Sequence, residues 1–409
     1  MMLKRLALAC AVLLFPLSAR AAPVWMESWA ASPAPPMPAA TGAPAKQYNP
    51  GFDNQTLVQV VRLSAGGRRL RIRFTNEYGQ SPLAIGAARL GVLDQDGQLV
   101  AGSERILVFG GSKTASIPAG MPLRSDPVDL AVAPLSSLRI ALYLPGAVKQ
   151  CTCHVTGAQH MLVSPPGDYT GRPFRSVDVA LPDNRAFLSA VDVESPAPGP
   201  VIVALGDSIT DGFKSTDDAN HRWPDRLAER LNDRAGGRPA AVINAGMSGN
   251  RLLADGYIPP MGQSALARFD RDVLAVPGVT HVIILEGVND LGAVGVPLPT
   301  AVTMINGYRR LIDRAHARGV KVIGATILPY EGAWYFHPEG EAVRQAVNLW
   351  IRTGGGFDGV IDFDALMRDP QHPARFKADL QAGDWLHPND AGYRAMGDAI
   401  DLSLFGVKR

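Results

Sequence analysis

The sequence predicts two unlike parts: an all-β sandwich or jelly roll, followed by an α/β part with three α/β/α layers and a five-stranded parallel sheet. Short runs of alternating apolar and polar residues predict the first part, and apolar strands that alternate with amphipathic helices predict the second. The length of 409 residues suits two domains. We place the β domain at 24–194, a Pro-rich linker at 195–200 and the α/β domain at 201–409.

The β prediction depends on runs with a period of two. In Leu70–Phe74 the apolar residues take one phase and arginines take the other, and Leu57–Leu63 and Leu138–Leu144 are similar. Such alternation indicates strands that bury one face. Glycine and aspartate clusters between the runs are typical of turns. Residues 31–50, which are rich in Pro and Ala, are predicted to form a loose loop.

The α/β prediction depends on five apolar runs that follow the linker. These runs are expected to form buried parallel strands at Val201–Leu205, Ala241–Asn244, His281–Glu286, Val320–Ile327 and Val360–Ile361. Amphipathic stretches between them predict helices near 222–234, 263–275, 300–318 and 339–353. A final helix is predicted from the helical spacing of Tyr393, Met396, Ile400 and Leu404.

The composition excludes two classes of protein. Hydrophobic residues make up 46% of the chain, which is too many for a wholly disordered protein. The chain has 40 basic and 38 acidic residues, a net charge of +2. A nucleic-acid binder normally has a strong basic excess, so no nucleic-acid partner is expected.

Residues 1–21 have the pattern of a secretory signal peptide. Lys4 and Arg5 precede an apolar run over 6–17, and residues 19–21 provide a small-x-small cleavage pattern. The run is too short to span a bilayer, so we expect no stable membrane insertion. Removal of three basic residues and no acid would lower the net charge from +2 to −1. The sequence therefore predicts an exported protein, periplasmic or extracellular.

Polar segments follow several of the predicted strands. They read GDSIT from Gly206, NAGMSGN from Asn244 and GVND from Gly287, and DWLHPN from Asp384 precedes the last helix. Ligands of parallel sheets bind outside the carboxyl ends of the strands. We therefore expect these segments to meet at one edge of the sheet.

The residue types in these segments fit ester hydrolysis by an activated serine, which needs a nucleophile, a base, an orienting acid and oxyanion donors. Ser208 is the predicted nucleophile, His387 the base and Asp384 the acid that orients it. The backbone amides of Ser208 and Gly246 and the side-chain amide of Asn289 are the predicted oxyanion hole. A glycine at 246 suits close approach of the backbone to substrate.

Over roughly 201–405 the chain resembles the SGNH/GDSL hydrolase superfamily, which is named for four motif blocks led by Ser, Gly, Asn and His. Ser208, Gly246, Asn289 and His387 match these blocks in the family's order. The resemblance implies a flavodoxin-like α/β/α fold, a Ser-His-Asp triad, and no metal or organic cofactor.

Two segments carry a closer likeness. GNRLL at 249–253 and HPNDAGYRAMGDAID at 387–401 resemble an exported bacterial branch with an N-terminal β domain, which includes arylesterases and carbohydrate acetylesterases. The resemblance implies an exported serine esterase that acts on short-chain or O-acetyl esters of small molecules or polysaccharides. A carbohydrate O-acetyltransferase with the same triad and a non-enzymatic glycan-binding protein of the cell envelope are the alternatives.

Several residues near the motifs have a second interpretation. Asp369 and His372 repeat the spacing of the predicted acid and base, but they lack the amphipathic helix that follows His387. Asp207 and Asp290 are expected to hold loops through local hydrogen bonds. The nearby Trp334, Tyr335 and His337 are further candidates for contact with substrate.

The cysteines leave three possibilities open. Cys151 and Cys153, with His154 and His160, could bind zinc, but in an oxidising compartment a local disulfide or free buried thiols also fit. The predicted metal set is empty. The β domain is expected to pack on the catalytic domain and shape its cleft. The alternative is that it binds polysaccharide through exposed aromatic residues, with Trp25, Trp29 and Tyr48 as candidates.

Overall fold

The structure is a computed structural model, and it describes residues 24–37, 51–177, 184–234, 238–292 and 296–407. The predicted signal peptide, Tyr48 and most of the Pro/Ala-rich segment lie outside these residues. In the part of the chain that is described, no helix combines the length and the apolar character needed to cross a bilayer.

The β region, residues 24–195, consists of antiparallel sheets. One sheet has the strand order β1-β14-β3-β8, with β9 also paired to β3, and the other has the order β12-β2-β10-β5-β6. Two short pairs, β4-β7 and β11-β13, complete it. The strands β1 to β14 are Val24–Ala30, Gln55–Arg62, Gly67–Thr75, Leu83–Ile85, Ala87–Leu93, Arg105–Ile106, Ala115–Ile117, Pro122–Arg124, Val128–Val132, Ser137–Leu144, Cys153–His154, Met161–Val163, Arg185–Ala186 and Leu188–Ser195.

The predicted alternation explains how the β region buries its core. Leu70, Ile72 and Phe74 on β3 are fully buried, whereas the arginines between them stay partly exposed. On the other sheet, Leu138 and Ile140 of β10 enter the same apolar core. Burial of these side chains is the main favourable term in folding. The all-β character predicted for this region is confirmed.

The α/β region, residues 201–407, contains a parallel sheet of five strands in the order β16-β15-β17-β18-β19. These strands, β15 to β19 in chain order, are Val201–Gly206, Ala241–Gly246, His281–Leu285, Lys321–Ala325 and Gly359–Ile361. In sequence order of the strands this is 2-1-3-4-5, the flavodoxin-like order. All five predicted strands are present, so the predicted fold class is confirmed.

Helices connect these strands, and the predicted amphipathic stretches all contain one. Helices α1 to α8 are Ser208–Asp211, Trp223–Arg234, Ala265–Phe269, Val288–Leu291, Ala301–His316, Pro338–Thr353, Phe363–Met367 and Asp390–Ala399. A π-helical turn at Asp270–Leu274 continues α3. Short 3₁₀ turns lie at Pro259–Met261, Ala378–Leu380 and Leu402–Phe405.

The final helix is shorter than its apolar spacing predicts. Helix α8 ends at Ala399, because Ile400 takes an extended conformation. The side chain of Asp401 then accepts a hydrogen bond from the Ser403 amide and caps a separate 3₁₀ turn that carries Leu404. The prediction of one continuous helix through Leu404 was therefore wrong.

The β region packs directly on the first strands of the α/β region. Ser64 Oγ accepts a hydrogen bond from the amide of Val242 on β16 (3.0 Å), which is the edge strand of the parallel sheet. The amide of Glu27 donates to the carbonyl of Pro277 (3.1 Å). An exposed edge strand can pair with other chains, and the β region covers this one. The division into domains at 24–194 and 201–409 with a 195–200 linker stays a prediction.

The cysteines form a disulfide, Cys151–Cys153, in the segment that leads into β11. His154 pairs with Asp211, and the exposed His160 pairs with Asp218. Across the described ranges, no group of three or more His, Cys, Asp or Glu side chains is placed to hold a metal ion. The disulfide interpretation of the cysteine pair is thus the one that the structure supports. Of the aromatic residues considered for sugar binding, Trp29 is buried.

Glu27 is an acid buried at the contact between the two regions. It lies on β1 and is 5% exposed. Burial, with a smaller contribution from the Asp192 carboxylate, raises the pKa of Glu27 to about 8. Between the unfolded value of 4.5 and this folded value, the folded protein binds more protons than the unfolded chain. The free energy of unfolding must therefore fall as pH rises through this window.

We predict that Glu27→Gln removes this pH dependence. Each unit of pKa difference is worth about 1.4 kcal/mol, so between pH 5 and pH 8 the wild type should lose about 3 kcal/mol relative to the variant. Denaturant unfolding of both proteins at the two pH values measures this difference, with the exposed Glu104→Gln as the control. Parallel pH profiles for wild type and Glu27→Gln would contradict the prediction.

Candidate active site

Ser208 is the first residue of α1, immediately after β15. The side chain of Asp207 accepts a hydrogen bond from the Ile209 amide (2.9 Å), which caps the turn and starts the helix. Amides in the first turn of a helix have no intrahelical acceptor, so the Ser208 amide is available to a ligand. The sharp strand-to-helix turn thus presents both the hydroxyl and the amide of Ser208 at the carboxyl edge of the sheet.

His387 and Asp384 lie next to this serine. Ser208 Oγ is 2.8 Å from His387 Nε2, and His387 Nδ1 is 2.8 Å from Asp384 Oδ2. The other oxygen of Asp384 accepts the backbone amides of Leu386 (3.1 Å) and His387 (2.9 Å). The ring of Phe213 contacts the imidazole edge-on, with centroids 4.8 Å apart. His387 and Asp384 are therefore each held by contacts in addition to the hydrogen bond that joins them.

The charge of Asp384 sets the tautomer of the histidine. Burial raises the pKa of Asp384, but the hydrogen bonds from the side chain and the amide of His387 outweigh burial and hold this pKa well below its usual range. An ionised carboxylate can only accept, so Nδ1 of His387 must carry the proton. In the neutral imidazole Nε2 is then a free acceptor that faces Ser208 Oγ. The arrangement can remove the serine proton and make the oxygen nucleophilic.

The second Asp-x-x-His segment lies elsewhere. Asp369 accepts the amide of Gln371, and His372 is exposed in a turn that Arg375 closes. His337 caps α6 through Nδ1 and contacts the carbonyl of Leu291 through Nε2, so both of its ring nitrogens are occupied. His387 is thus the histidine that the fold brings to Ser208.

Asn289 also reaches the site. It lies on α4, just after β17, and its side-chain amide donates to the carbonyl of Asn250 (2.9 Å). Its side-chain oxygen is 3.3 Å from the hydroxyl of Tyr335. A side-chain amide has two N–H groups, so one remains for a ligand. These two contacts orient the amide toward the cavity that Asn289 lines together with Ser208.

The amide of Gly246, predicted as an oxyanion donor, already has an acceptor within the protein. Its amide donates to the side-chain oxygen of Asn244 (2.8 Å), so it is not free to bind an oxyanion. A Cβ at this position would collide with the backbone of Thr210 and Asp211. Gly246 therefore allows β16 to pack against the turn that carries Ser208, which explains the glycine without any contact to substrate.

Gly249, three residues later, is the glycine that lines the cavity. Its φ of 78° belongs to the left-handed region, which favours glycine. Among the described residues, no acceptor is paired with its amide. Gly249 could not be distinguished from Gly246 in the sequence because both glycines occur in one motif, and composition cannot tell which amide already has an acceptor. The only sequence signal was the second glycine itself, at a turn after the strand.

A cavity of about 250 Å³ opens above Ser208 and His387. Its walls are mainly apolar, and the aromatic side chains of Tyr257, Trp334 and Tyr335 are among them. The Trp334 side chain is 80% exposed at the rim. The β region contributes a wall of its own through Val155 and Thr156.

The acids beside the motifs have structural contacts, as expected from the sequence. Asp290 accepts the backbone amides of Leu252 (2.7 Å) and Leu253 (3.0 Å), and Asp207 caps α1. Burial raises the pKa of Asp290 and of Asp207 above the usual range for aspartate. Their contacts hold the loops around the site and do not reach the cavity.

Residues 204–395 match the GDSL-like lipase/acylhydrolase family. A comparison with curated proteins gives no match. Solved structures with a similar fold include the psychrotrophic esterase EstA from Pseudoalteromonas sp., with 20% identity over 49% of this chain and 93% of that one, and a TM-score of 0.36. A GDSL-like lipase from Bacteroides thetaiotaomicron has 18% identity over 50% and 87% and a TM-score of 0.36. The acetyl xylan esterase AlAXEase has 21% identity over 49% and 96% and a TM-score of 0.37.

The geometry predicts that a fluorophosphonate probe labels Ser208. His387→Ala should slow labelling by at least about 10²-fold, because a serine without its base is a weak nucleophile. His372→Ala, the matched control at the second Asp-x-x-His segment, should label at the wild-type rate. Gel fluorescence against time measures both rates. Equal slowing in the two variants, or none in His387→Ala, would contradict the assignment of the base.

Proposed function

We propose that this chain, whose residues 204–395 form a domain of the GDSL-like lipase/acylhydrolase family, is an exported serine esterase that hydrolyses short-chain or O-acetyl carboxylic esters. The observation that carries the proposal is the hydrogen-bonded chain from Ser208 through His387 to Asp384 at the floor of the cavity. Hydrolysis in this proposal proceeds in two steps through an acyl-enzyme.

In the first step, His387 Nε2 takes the proton of Ser208 Oγ as this oxygen attacks the ester carbonyl. The imidazolium that forms is stabilised by Asp384, which stays ionised and holds the ring in place. His387 then gives the proton to the leaving alkoxide oxygen, and the carbon–oxygen bond of the ester breaks. The products of this step are the free alcohol and an acyl group bound to Ser208.

In the second step, a water molecule replaces the alcohol. His387 takes a proton from this water, and the resulting hydroxide attacks the acyl carbonyl. Collapse of the tetrahedral intermediate releases the carboxylic acid, and Ser208 Oγ recovers its proton from His387. The same two hydrogen bonds serve both steps, as microscopic reversibility requires.

The developing oxyanion would be bound by three donors: the Ser208 amide, the Gly249 amide and the second N–H of Asn289. The free amide of Gly249 and its place in the cavity support this revision, in which Gly249 replaces Gly246. Donors of this kind are fixed before the reaction and need no reorganisation. Removal of a single one typically lowers turnover by about 10²–10³-fold.

The size of the cavity supports the proposed substrate class, and the disulfide supports the proposed export. A cavity of about 250 Å³ suits a small acyl or alcohol group better than a long lipid chain. The Cys151–Cys153 disulfide is the state expected in an oxidising compartment, which agrees with the signal-like pattern of residues 1–21. The aromatic rim around Trp334 offers apolar faces for the alcohol part of the ester.

Ser208→Ala tests this function. With p-nitrophenyl acetate as substrate, turnover should fall by at least about 10³-fold, because the acyl-enzyme cannot form. The melting temperature should stay close to that of the wild type, and the exposed Ser116→Ala should keep full activity. Turnover near the wild-type value in purified Ser208→Ala would refute the proposed mechanism.

A further inference from the structure

We propose that His154 and Thr156 of the β region are positioning residues for the catalytic centre, because they fix the loop that carries Gly249 through Asp211 and Ser248. The inference rests on the proposed esterase function and extends it to a part of the chain outside the family match at 204–395.

Asp211 is one of the residues at which the two regions meet, and it lies next to the catalytic turn. It is buried at the end of α1, the helical turn that begins with Ser208. One carboxylate oxygen is 2.9 Å from His154 Nε2. The other is 2.9 Å from Thr156 Oγ1 and from Ser248 Oγ, and it accepts the Ser248 amide at 3.2 Å. A single carboxylate thus joins the β region, the turn of Ser208 and the loop after β16.

His154 and Asp211 form a buried hydrogen-bonded pair. Nδ1 of His154 is 2.9 Å from the carbonyl of Ser32, which can only accept, so this nitrogen carries a proton. Nε2 is 2.9 Å from Oδ1 of Asp211, so a hydrogen bond joins the ring to the carboxyl group. Burial lowers the pKa of His154, but Asp211 and the Ser32 carbonyl together raise it by more, so the net shift is upward. Loss of either partner would leave a buried polar group without its hydrogen bond.

Thr156 has an unusual backbone. Its φ of 63° lies in the left-handed region, which a β-branched residue rarely enters. Such conformations persist only where surrounding contacts enforce them, and they concentrate at functional sites. Here the hydroxyl oxygen lies 2.9 Å from Asp211 Oδ2, 2.7 Å from Ser248 Oγ and 2.5 Å from the carbonyl of Val155. The same segment carries the Cys151–Cys153 disulfide, which restricts the chain just before these contacts.

Through these contacts Asp211 is joined to the residues next to Gly249 and Ser208. Ser248 is bonded to Asp211 through both its amide and its hydroxyl, and the next residue is Gly249, which lines the cavity. Asp211 is also three residues from Ser208 in the same turn. The Asp211 carboxylate therefore connects the turn of Ser208 to the loop of Gly249, and His154 and Thr156 of the β region contact this carboxylate.

Thr156→Val provides the direct test, because valine replaces the hydroxyl with a methyl group and keeps the shape of the cavity wall. Displacement of the Gly249 amide should lower kcat for p-nitrophenyl acetate by about tenfold, since small misplacements at a reacting centre are costly. KM should change by less than about twofold, because the cavity wall is preserved. Thr156→Ser, which restores the hydroxyl, should recover most of this loss.

The matched control is Thr152→Val. Thr152 lies in the same segment, and its hydroxyl accepts the amide of Tyr78 (3.0 Å) without contact to Asp211. This variant should lower the melting temperature and leave kcat unchanged. Ser248→Ala and the double variant with Thr156→Val add a second measurement. If both residues act through Asp211, the double variant should lose less than the product of the two single losses.

The outcomes separate the two proposals. A kcat of Thr156→Val within about twofold of the wild type, or an equal loss in Thr152→Val, would overturn the positioning role while the esterase function stands. Fully multiplicative losses in the double variant would also overturn it. Absence of ester turnover and of Ser208 labelling in the wild type would overturn the proposed function and this inference together.

Discussion

The geometry of the site depends on the buried guanidinium of Arg268. It donates to the carbonyls of Gly206 (2.9 Å) and Ala245 (2.7 Å), to the side chain of Asn250 (2.9 Å), and to Glu286 at 3.3 Å. These acceptors lie at the ends of three neighbouring strands and in the loop that carries Gly249. A buried cation must be fully paired, so the strand ends and the loop can shift only at the cost of unpaired polar groups.

The β region also supports the site. It covers the edge of the parallel sheet at β16, and it delivers His154 and Thr156 to Asp211, next to the turn of Ser208. Arg268 thus holds the loops through contacts within the α/β region, and the β region holds them through His154 and Thr156. A catalytic centre of this kind needs such support because its donors must already be in place before charge develops on the substrate.

Patterns along the chain predicted the five parallel strands and placed Ser208 at their carboxyl edge. The motif before the last helix predicted His387 and Asp384 as its partners. The pattern could not show that Asn244 occupies the amide of Gly246 and leaves that of Gly249 free. It also gave no sign that His154 crosses to Asp211. Such contacts join residues far apart in the sequence, and they depend on how two regions pack, which periodicity does not encode.

Trapping the acyl-enzyme tests most directly whether Ser208 is the nucleophile. After rapid acid quench of a reaction with p-nitrophenyl acetate, peptide mass spectrometry should find one acetyl group on the peptide that contains Ser208. The adduct should be absent from Ser208→Ala and should accumulate in a burst before steady-state turnover. Turnover by the wild type without any covalent adduct, or with the acetyl group on another residue, would refute the assignment of Ser208 as the nucleophile.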